Sequence, residues 1–183
     1  WARQDQLPPT GDWRTWMILA GRGFGKTRSG SEWVRGIIEA HSSDEEASEP
    51  LRIGLVGPTF SDVRDVMIEG ESGILNISPE SQRPKWESTR RRLVWPNGCT
   101  ATAFSADEPD RLRGHQFHAV WCDELAAWRY PQAWDMLMFC LRLGDKPQAC
   151  VTTTPKNTKL VRDLAAHETT HVTHGTTFDN ADN

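Results

Sequence analysis

Short apolar runs alternate with amphipathic stretches along most of this chain. Four largely apolar runs predict β-strands, at about residues 16–20, 51–58, 117–124 and 148–155. Apolar side chains that recur at helical spacing predict three amphipathic helices, from Thr27 to about residue 41, over 131–144 and over 157–167. Strands and helices therefore follow one another in regular order.

Shorter elements complete this pattern. Residues 61–70 predict a short helix with Ser61 as its N-cap, and Asn157 is predicted to cap the last helix. Residues 91–105 contain two β runs around a Pro-Asn-Gly turn, which predicts a hairpin. Residues 170–177 predict one more strand.

The alternation of strands and helices favours an α/β fold with a largely parallel central sheet, flanked by helices, and with the hairpin as an insertion. A length of 183 residues fits a single domain, spanning 1–183, with room for a core. Such sheets bind ligands at the carboxyl ends of their strands. A glycine-rich loop, a pair of acids and a threonine run all follow predicted strands, so the candidate chemistry converges on one edge of the sheet.

The composition narrows the choice of partners. Hydrophobic residues make up 37% of the chain, and because no run of about 18 apolar residues occurs, no segment is expected to span a membrane. A formal net charge of -4 argues against a surface that is positive throughout, although a local basic patch is enough to bind nucleic acid. One candidate patch comprises Arg83, Lys85, Arg90, Arg91 and Arg92. The alternative interpretation of these residues is a solvated basic face.

The glycine-rich loop after the first strand matches a phosphate-binding P-loop, with alanine where the first glycine often stands. It comprises Ala20, Gly21, Arg22, Gly23, Phe24, Gly25, Lys26 and Thr27. Its three glycines can adopt positive φ and let backbone N–H groups face a polyphosphate, and the following helix adds its dipole. Lys26 is expected to reach the β- and γ-phosphates, and Thr27 to bind Mg²⁺. The alternative is a flexible turn.

An apolar strand that ends in Asp123 and Glu124 is typical of a Walker B motif. Asp123 is expected to hold the metal through a water molecule. Glu124 is expected to polarise the attacking water, which suits a hydrolase better than a kinase. The alternative is a solvated strand end.

Two further features leave their interpretation open. Thr152, Thr153 and Thr154 end the next apolar strand, where a hydroxyl can sense the γ-phosphate or simply suit a strand. Arg113 lies in a charged loop ahead of the Walker B strand. It either forms ordinary surface or projects into the site of a neighbouring subunit.

In combination, these segments resemble the large terminase subunits of tailed phages and related gene transfer agents. The resemblance rests on the arginine-containing P-loop "GRGFGKT", on "RLRGHQFHAVWCDE" with its LRG ahead of Asp-Glu, and on the threonine-rich motif "TTTPK". The segment "ARQDQLPP" completes the set, and in the family's pattern Gln6 would contact adenine. The resemblance covers about residues 2–160, and the combination is specific although each piece alone is not.

The resemblance implies an ASCE, RecA-like P-loop NTPase domain that uses ATP and Mg²⁺. Family members pump double-stranded DNA into a procapsid as a homo-oligomeric ring, usually a pentamer, on the portal protein. The small terminase subunit is a further partner, and the cytoplasm of the bacterial host is the expected location. Full-length members also carry a C-terminal nuclease domain, which is not expected in this chain, so no nuclease activity is predicted from it.

The family pattern also assigns roles to the arginines and threonines. Arg22 is expected to act on the nucleotide of its own subunit, whereas Arg113 is expected to act in trans on the neighbour's. The threonine run, Thr152 to Thr154, corresponds to the motif that couples hydrolysis to movement.

Two other classes of protein are weighed against this resemblance. A superfamily 2 helicase or translocase would share a Gln motif, a P-loop, Asp-Glu and a hydroxyl-rich strand, but it needs a second RecA-like domain and usually lacks an arginine in the P-loop. A GTPase switch needs an Asn-Lys-x-Asp base reader, which "PKNTKL" does not supply.

Overall fold

The chain forms one sheet with helices on both faces. The computed structural model describes residues 3–47 and 49–175. The strands within these residues are β1 (Thr15–Ala20), β2 (Arg52–Gly57), β3 (Lys85–Glu87), β4 (Arg92–Val94), β5 (Thr100–Ser105), β6 (Ala119–Asp123), β7 (Gln148–Thr153) and β8 (Thr170–Gly175). The helices are α1 (Lys26–Ser42), α2 (Phe60–Asp62, running on into a π-helical segment at Val63–Ile68), α3 (Ile74–Ile77), α4 (Gln132–Cys140) and α5 (Lys159–Ala165).

The sheet has eight strands in the order β3-β4-β5-β2-β6-β7-β1-β8 within the described residues. All pairings from β5 through β8 are parallel. The order places β7 between β6 and β1, so the ends of three strands that carry predicted site residues are neighbours. The predicted α/β fold with a largely parallel sheet is confirmed.

Both faces of the sheet are buried, which explains why its strands have continuous apolar runs. On one face, Trp16 and Trp121 pack in a core with the apolar side of α1. On the other face, Met17 and Val120 pack in a second core with α4 and α5. Side chains that alternate along each strand therefore belong to opposite cores.

The predicted hairpin over 91–105 is confirmed, because β4 and β5 pair antiparallel. β5 also pairs parallel with β2, so the hairpin extends the main sheet. Gly98 has φ of 87° in the turn, a value that favours glycine. The preceding strand β3, which adds a third strand at this edge, was not predicted.

The structure corrects both predicted helix caps. Thr59, two residues before Ser61, caps the short helix through its hydroxyl, which accepts from the Asp62 N–H. Thr158, and not Asn157, caps α5 by accepting from the Val161 N–H. The helix predicted over 131–144 ends earlier, at Cys140. The strand predicted at 170–177 is present to residue 175, and its last two positions lie outside the described residues.

Among the described residues, no helix is both long enough and apolar enough to cross a membrane.

Candidate functional site

The glycine-rich loop joins the end of β1 to the start of α1 at the carboxyl edge of the sheet. Gly23 and Gly25 have φ of 81° and 91°, in the region that strains other residues, whereas Gly21 does not need positive φ. Gly25 is the N-cap of α1, and its carbonyl accepts from the Ser29 N–H at 2.9 Å. The loop is therefore an ordered turn, which favours the phosphate-loop interpretation over a flexible turn.

Lys26 is buried at the first position of α1, with 8% of its surface exposed. Its Nζ donates to the Gly21 carbonyl at 3.0 Å and lies 3.9 Å from Oε1 of Glu124. The ammonium group thus lies between the loop and the end of β6. Thr27 is half-buried one residue further on, and Arg22 is exposed without a hydrogen bond or ion pair to other described residues.

Glu124 follows β6 in the left-handed conformation, with φ of 46° and ψ of 47°. Its backbone N–H donates to the Thr152 carbonyl at 2.6 Å. Its Oε2 accepts from the Thr154 hydroxyl at 3.0 Å. A glutamate in this region is strained, and such strain persists where the surroundings hold the residue in place. The end of β7 and Lys26 together hold this carboxylate.

Asp123 is buried at the last position of β6. Its Oδ1 accepts from the Thr152 hydroxyl at 2.6 Å, and its backbone carbonyl accepts from Nε1 of Trp128 at 3.0 Å. Burial raises the pKa of the Asp123 carboxyl to about 6, and the Glu124 charge acts in the same direction, while the Thr152 hydrogen bond and the Lys26 charge oppose the rise. A nearby cation would favour the ionised form of this carboxyl.

Each of the three threonines at the end of β7 holds a different part of the neighbouring strand end. Thr152 contacts the Asp123 carboxylate, and Thr154 contacts the Glu124 carboxylate. The Thr153 hydroxyl accepts from the Ala126 N–H at 3.0 Å. The sequence placed this run next to the acids but did not indicate which hydroxyl meets which carboxylate.

Gln6 lies against the outer side of the loop. Its amide nitrogen donates to the Phe24 carbonyl at 2.7 Å, and its amide oxygen accepts from the Arg3 N–H at 3.0 Å. A groove of about 840 Å³ opens here, between the segment that contains Gln6 and the helix α1. Gly25 and Ser29 line this groove as well, but Lys26 and the two acids do not, so the groove adjoins the P-loop without including the acids.

The residues that would hold Mg²⁺ provide a small number of oxygen ligands. Within the described residues, no cluster of three His, Cys, Asp or Glu side chains is suited to bind a metal. The site instead offers one buried carboxylate, Asp123, and the hydroxyl of Thr27 next to Lys26. This small oxygen donor set suits Mg²⁺, which binds one or two protein ligands together with phosphate oxygens.

Arg113 lies apart from this group. It follows the 3₁₀ turn Pro109–Leu112, which comes after β5, and β2 separates β5 from β6 in the sheet. Its side chain is 70% exposed, and its guanidinium pairs with Asp110 at 3.0 Å. Among the described residues, no hydrogen bond or ion pair joins it to the P-loop or to Glu124. Leu112 fixes the turn, since its carbonyl accepts from Sγ of Cys140 in α4.

Three of the five side chains of the basic patch contact other described residues. Arg92 pairs with Glu87 at 2.7 Å, and Arg83 donates to the Ser78 carbonyl. The guanidinium of Arg91 lies over the Phe60 ring, 4.1 Å from its centre, and 3.6 Å from Glu108. The other two patch residues are exposed and form no ion pair with described residues: Lys85 and Arg90.

Two residues of the site could not be predicted from the sequence. The indole N–H of Trp121 donates to Oγ1 of Thr152 at 2.9 Å, although a tryptophan within an apolar strand indicates only a core residue. Arg3 donates to the Phe24 carbonyl at 3.1 Å and also lies over the Phe24 ring. Their contacts depend on chain segments far away in the sequence.

The fold and the geometry at the ends of β1, β6 and β7 define a P-loop NTPase of the α/β class. Over residues 17–183 the chain matches the family described as terminase large subunit, T4likevirus-type, N-terminal, and it belongs to that family. No match is found among curated protein sequences.

Solved structures agree on the fold. The ATPase domain of the Thermus phage P74-26 large terminase has a TM-score of 0.70 at 17% identity, covering 92% of this chain and 78% of that one. The large terminase of a second, thermophilic bacteriophage has a TM-score of 0.73 at 15% identity, covering 94% of this chain and 43% of that one. This second terminase is also known in complex with ADP and with ATP-gamma-S. None of these matches favours the helicase alternative.

Proposed function

We propose that this chain is an ATPase domain that powers DNA packaging, in which ATP hydrolysis drives double-stranded DNA into a procapsid. One observation carries the proposal: Lys26, Glu124 and Thr154, from three neighbouring strand ends, meet in one chain of contacts. Together, a phosphate-binding lysine, a carboxylate that can act as a general base and a hydroxyl on that carboxylate can bind a γ-phosphate, activate water and respond to phosphate release. The complexes of the second phage terminase with ADP and ATP-gamma-S are consistent with this use of the fold.

Nucleotide binding uses the loop and the adjoining groove. The N–H groups of the loop that ends at Gly25, together with the N-terminus of α1, face the phosphates. Lys26 binds the β- and γ-phosphates. Gln6 places the base in the groove, since its amide retains a second hydrogen and a second lone pair beyond its contacts with Phe24 and Arg3.

Hydrolysis uses the two acids in different roles. Thr27 and Asp123 would hold Mg²⁺, in part through water, and the bound ion would neutralise charge on the phosphate oxygens. Glu124 accepts a proton from the attacking water, and its contacts with Lys26 and Thr154 orient the carboxylate for this step. Arg22 stabilises charge on the γ-phosphate of its own subunit. Arg113 does so for the nucleotide of the neighbouring subunit.

Coupling begins at the end of β7. Loss of the γ-phosphate changes what Glu124 binds, and Thr152, Thr153 and Thr154 transmit that change to the sheet because each holds part of the β6 end. The exposed edge with Lys85 is a candidate DNA surface. We further propose that residues 1–183 act as one domain within a homo-oligomeric ring, a pentamer by analogy, on a portal protein with a small terminase subunit, in the bacterial cytoplasm.

Two measurements test this function. The chain should bind ATP in calorimetry with Mg²⁺, and Lys26→Ala should weaken binding by about 10- to 100-fold, because charge-assisted hydrogen bonds contribute about 1.5–3 kcal/mol. Lys159→Ala, which removes an exposed lysine paired with Asp163 in α5, is the matched control and should bind normally. Equal affinities in the two variants would contradict the role of Lys26. The assembled protein should package duplex DNA into procapsids, whereas unwinding of a forked duplex would favour a helicase.

A further inference from the structure

A buried tryptophan connects three parts of the site. Trp121 lies in β6, two residues before Asp123, and is fully buried. Its indole N–H donates to Oγ1 of Thr152 at 2.9 Å, and the Thr152 hydroxyl donates to Oδ1 of Asp123 at 2.6 Å. All three residues belong to the buried interior, so solvent does not compete for these hydrogen bonds.

The direction of these bonds is fixed by the chemistry of the groups. An indole nitrogen only donates, so Oγ1 of Thr152 must accept from Trp121. The single hydroxyl proton of Thr152 then points away from the indole, toward the carboxylate of Asp123 at 2.6 Å or the more distant Cys122 carbonyl at 3.4 Å. Because the indole occupies one lone pair of Oγ1, the hydroxyl proton of Thr152 goes to one of these two acceptors, and Oδ1 of Asp123 is the nearer.

The same indole supports the helix that begins at the P-loop. A Cβ added to Gly30 of α1 would lie 2.2–2.5 Å from three atoms of the Trp121 ring. Such distances are shorter than any van der Waals contact, so only glycine lets α1 lie directly on the indole. One side chain thus contacts the P-loop helix, the coupling threonine and, through Thr152, the metal-binding carboxylate.

We propose that Trp121 is a positioning residue that orients Asp123 through Thr152 for the metal–nucleotide complex. This inference rests on the proposed nucleotide-binding function. It predicts that loss of the indole N–H weakens the part of nucleotide affinity that depends on Mg²⁺ and leaves metal-free nucleotide binding unchanged.

The chain offers a matched control for this test. Trp16 in β1 is also fully buried in the same core, and its indole N–H donates to Oγ1 of Thr173 at 3.0 Å. Each of the substitutions Trp121→Phe and Trp16→Phe therefore removes one tryptophan–threonine hydrogen bond from the same core. Calorimetric binding of ADP is measured for both variants and for the wild type, once with Mg²⁺ and once with EDTA.

The expected result is a loss of about 10-fold or more in Mg²⁺-dependent ADP affinity for Trp121→Phe alone, the range for residues that orient a metal ligand. Metal-free ADP affinity should be equal in all three proteins. Thr152→Val should reproduce the loss, and Trp121→Phe should add nothing in the Thr152→Val background. Equal losses in Trp121→Phe and Trp16→Phe, or additive losses in the double variant, would overturn the inference.

A second substitution guards against misfolding. Benzothienylalanine has the shape of tryptophan with sulfur in place of the N–H, so its incorporation at position 121 retains the packing against Gly30. It should give the same loss as Trp121→Phe, and unchanged Mg²⁺-dependent affinity would overturn the inference. If the wild type binds ADP with Mg²⁺ and this variant binds equally well, only the role of Trp121 fails. A wild type that binds no nucleotide would instead reject the proposed function itself.

Discussion

The Thr154 hydroxyl donates to Oε2 of Glu124 at 3.0 Å, joining the end of β7 to the residue that follows β6. The opposite carboxylate oxygen, Oε1, lies 3.9 Å from Nζ of Lys26. Glu124 is thus held from two sides, by a hydroxyl and by an ammonium group. The position of this carboxylate depends on the ends of β6 and β7, which are neighbours in the sheet. A substitution of Glu124 can therefore separate nucleotide binding from hydrolysis.

Glu124→Gln should leave ATP binding intact but reduce hydrolysis by about 10²- to 10⁴-fold, the contribution of a positioned general base. The amide has the same shape and can still accept from the Thr154 hydroxyl, but it cannot take a proton from water. ATP affinity is measured by calorimetry on this chain, and turnover on the assembled protein. Turnover near the wild-type rate in a variant that binds ATP would remove Glu124 from the catalytic role.

The left-handed backbone of Glu124 makes a separate prediction about stability. Glu124→Gly should be about 1 kcal/mol more stable than Glu124→Ala, because a Cβ in this conformation costs about 1–2 kcal/mol. Both variants lose the contacts with Lys26 and Thr154, so the comparison isolates the backbone. Urea unfolding gives the two free energies. If the alanine variant is equally or more stable, the backbone at position 124 is not strained.

The strands and the P-loop could be predicted from sequence because their signals are local. Continuous apolar runs indicate strands covered on both faces, and a glycine-rich loop between strand and helix is specific. The helix caps were wrong because Thr59 and Ser61 are both good caps, and only the backbone decides which hydroxyl reaches a free N–H. The role of Trp121 could not be predicted, since its partner Thr152 lies on another strand. The sequence of neither strand indicates which strands are neighbours in the sheet.

The pH dependence of stability should include a contribution from His118, at the opposite end of the sheet from the site. Its Nδ1 accepts from the Arg52 N–H at 3.0 Å, which joins β6 to β2. Burial, followed by the Arg52 charge, lowers the pKa of His118 below its ordinary value. The unfolded chain therefore binds this proton more tightly than the folded chain does. The contribution of neutral His118 to stability is therefore complete above about pH 6.5, its pKa in the unfolded chain. This contribution is lost as the pH falls below that value through the lower pKa of the folded chain.

His118→Asn keeps an acceptor near the position of Nδ1 but cannot titrate. Its free energy of unfolding should change less than that of the wild type between about pH 5 and 7. Part of the dependence should remain, because burial also lowers the pKa of His115. Denaturant unfolding across this range provides the comparison, and identical pH profiles for the two proteins would exclude the contribution of His118.

The basic patch should bind DNA mainly through Lys85 and Arg90, because the other three arginines have internal partners. Lys85→Ala with Arg90→Ala should weaken duplex binding evenly across sequences. The slope of log affinity against log salt should fall by about one for each side chain removed. Fluorescence anisotropy at several salt concentrations measures it.

The control for charge removes two cations elsewhere, the half-buried Arg64 and the exposed Lys146, each paired with an acid. This control variant loses the same net charge as the variant with Lys85→Ala and Arg90→Ala, so a general electrostatic effect would alter the salt slopes of both variants alike. Equal slopes in both double variants would mean that the patch is a solvated basic face.

The trans role of Arg113 can be tested with subunit mixtures in assembled rings. Arg113 is exposed, pairs only with Asp110 among the described residues, and is separated from β6 by an intervening strand, so it is free to enter a neighbour's site. An arginine that stabilises charge on the departing phosphoryl group contributes about 10³- to 10⁵-fold in rate. This chain alone should therefore bind ATP yet hydrolyse it slowly.

An Arg113→Ala subunit mixed with a Glu124→Gln subunit should recover some activity, because the first retains its glutamate and can receive an arginine from the second. Arg22→Ala mixed with Glu124→Gln should not recover, since both changes damage the site of their own subunit. Arg111→Ala is the matched control, because Arg111 lies in the turn just before Arg113, is also exposed and pairs with Glu108 at 3.0 Å. It should be active without any mixing. A mixture of Arg113→Ala and Glu124→Gln that assembles but stays inactive would show that Arg113 does not act in trans.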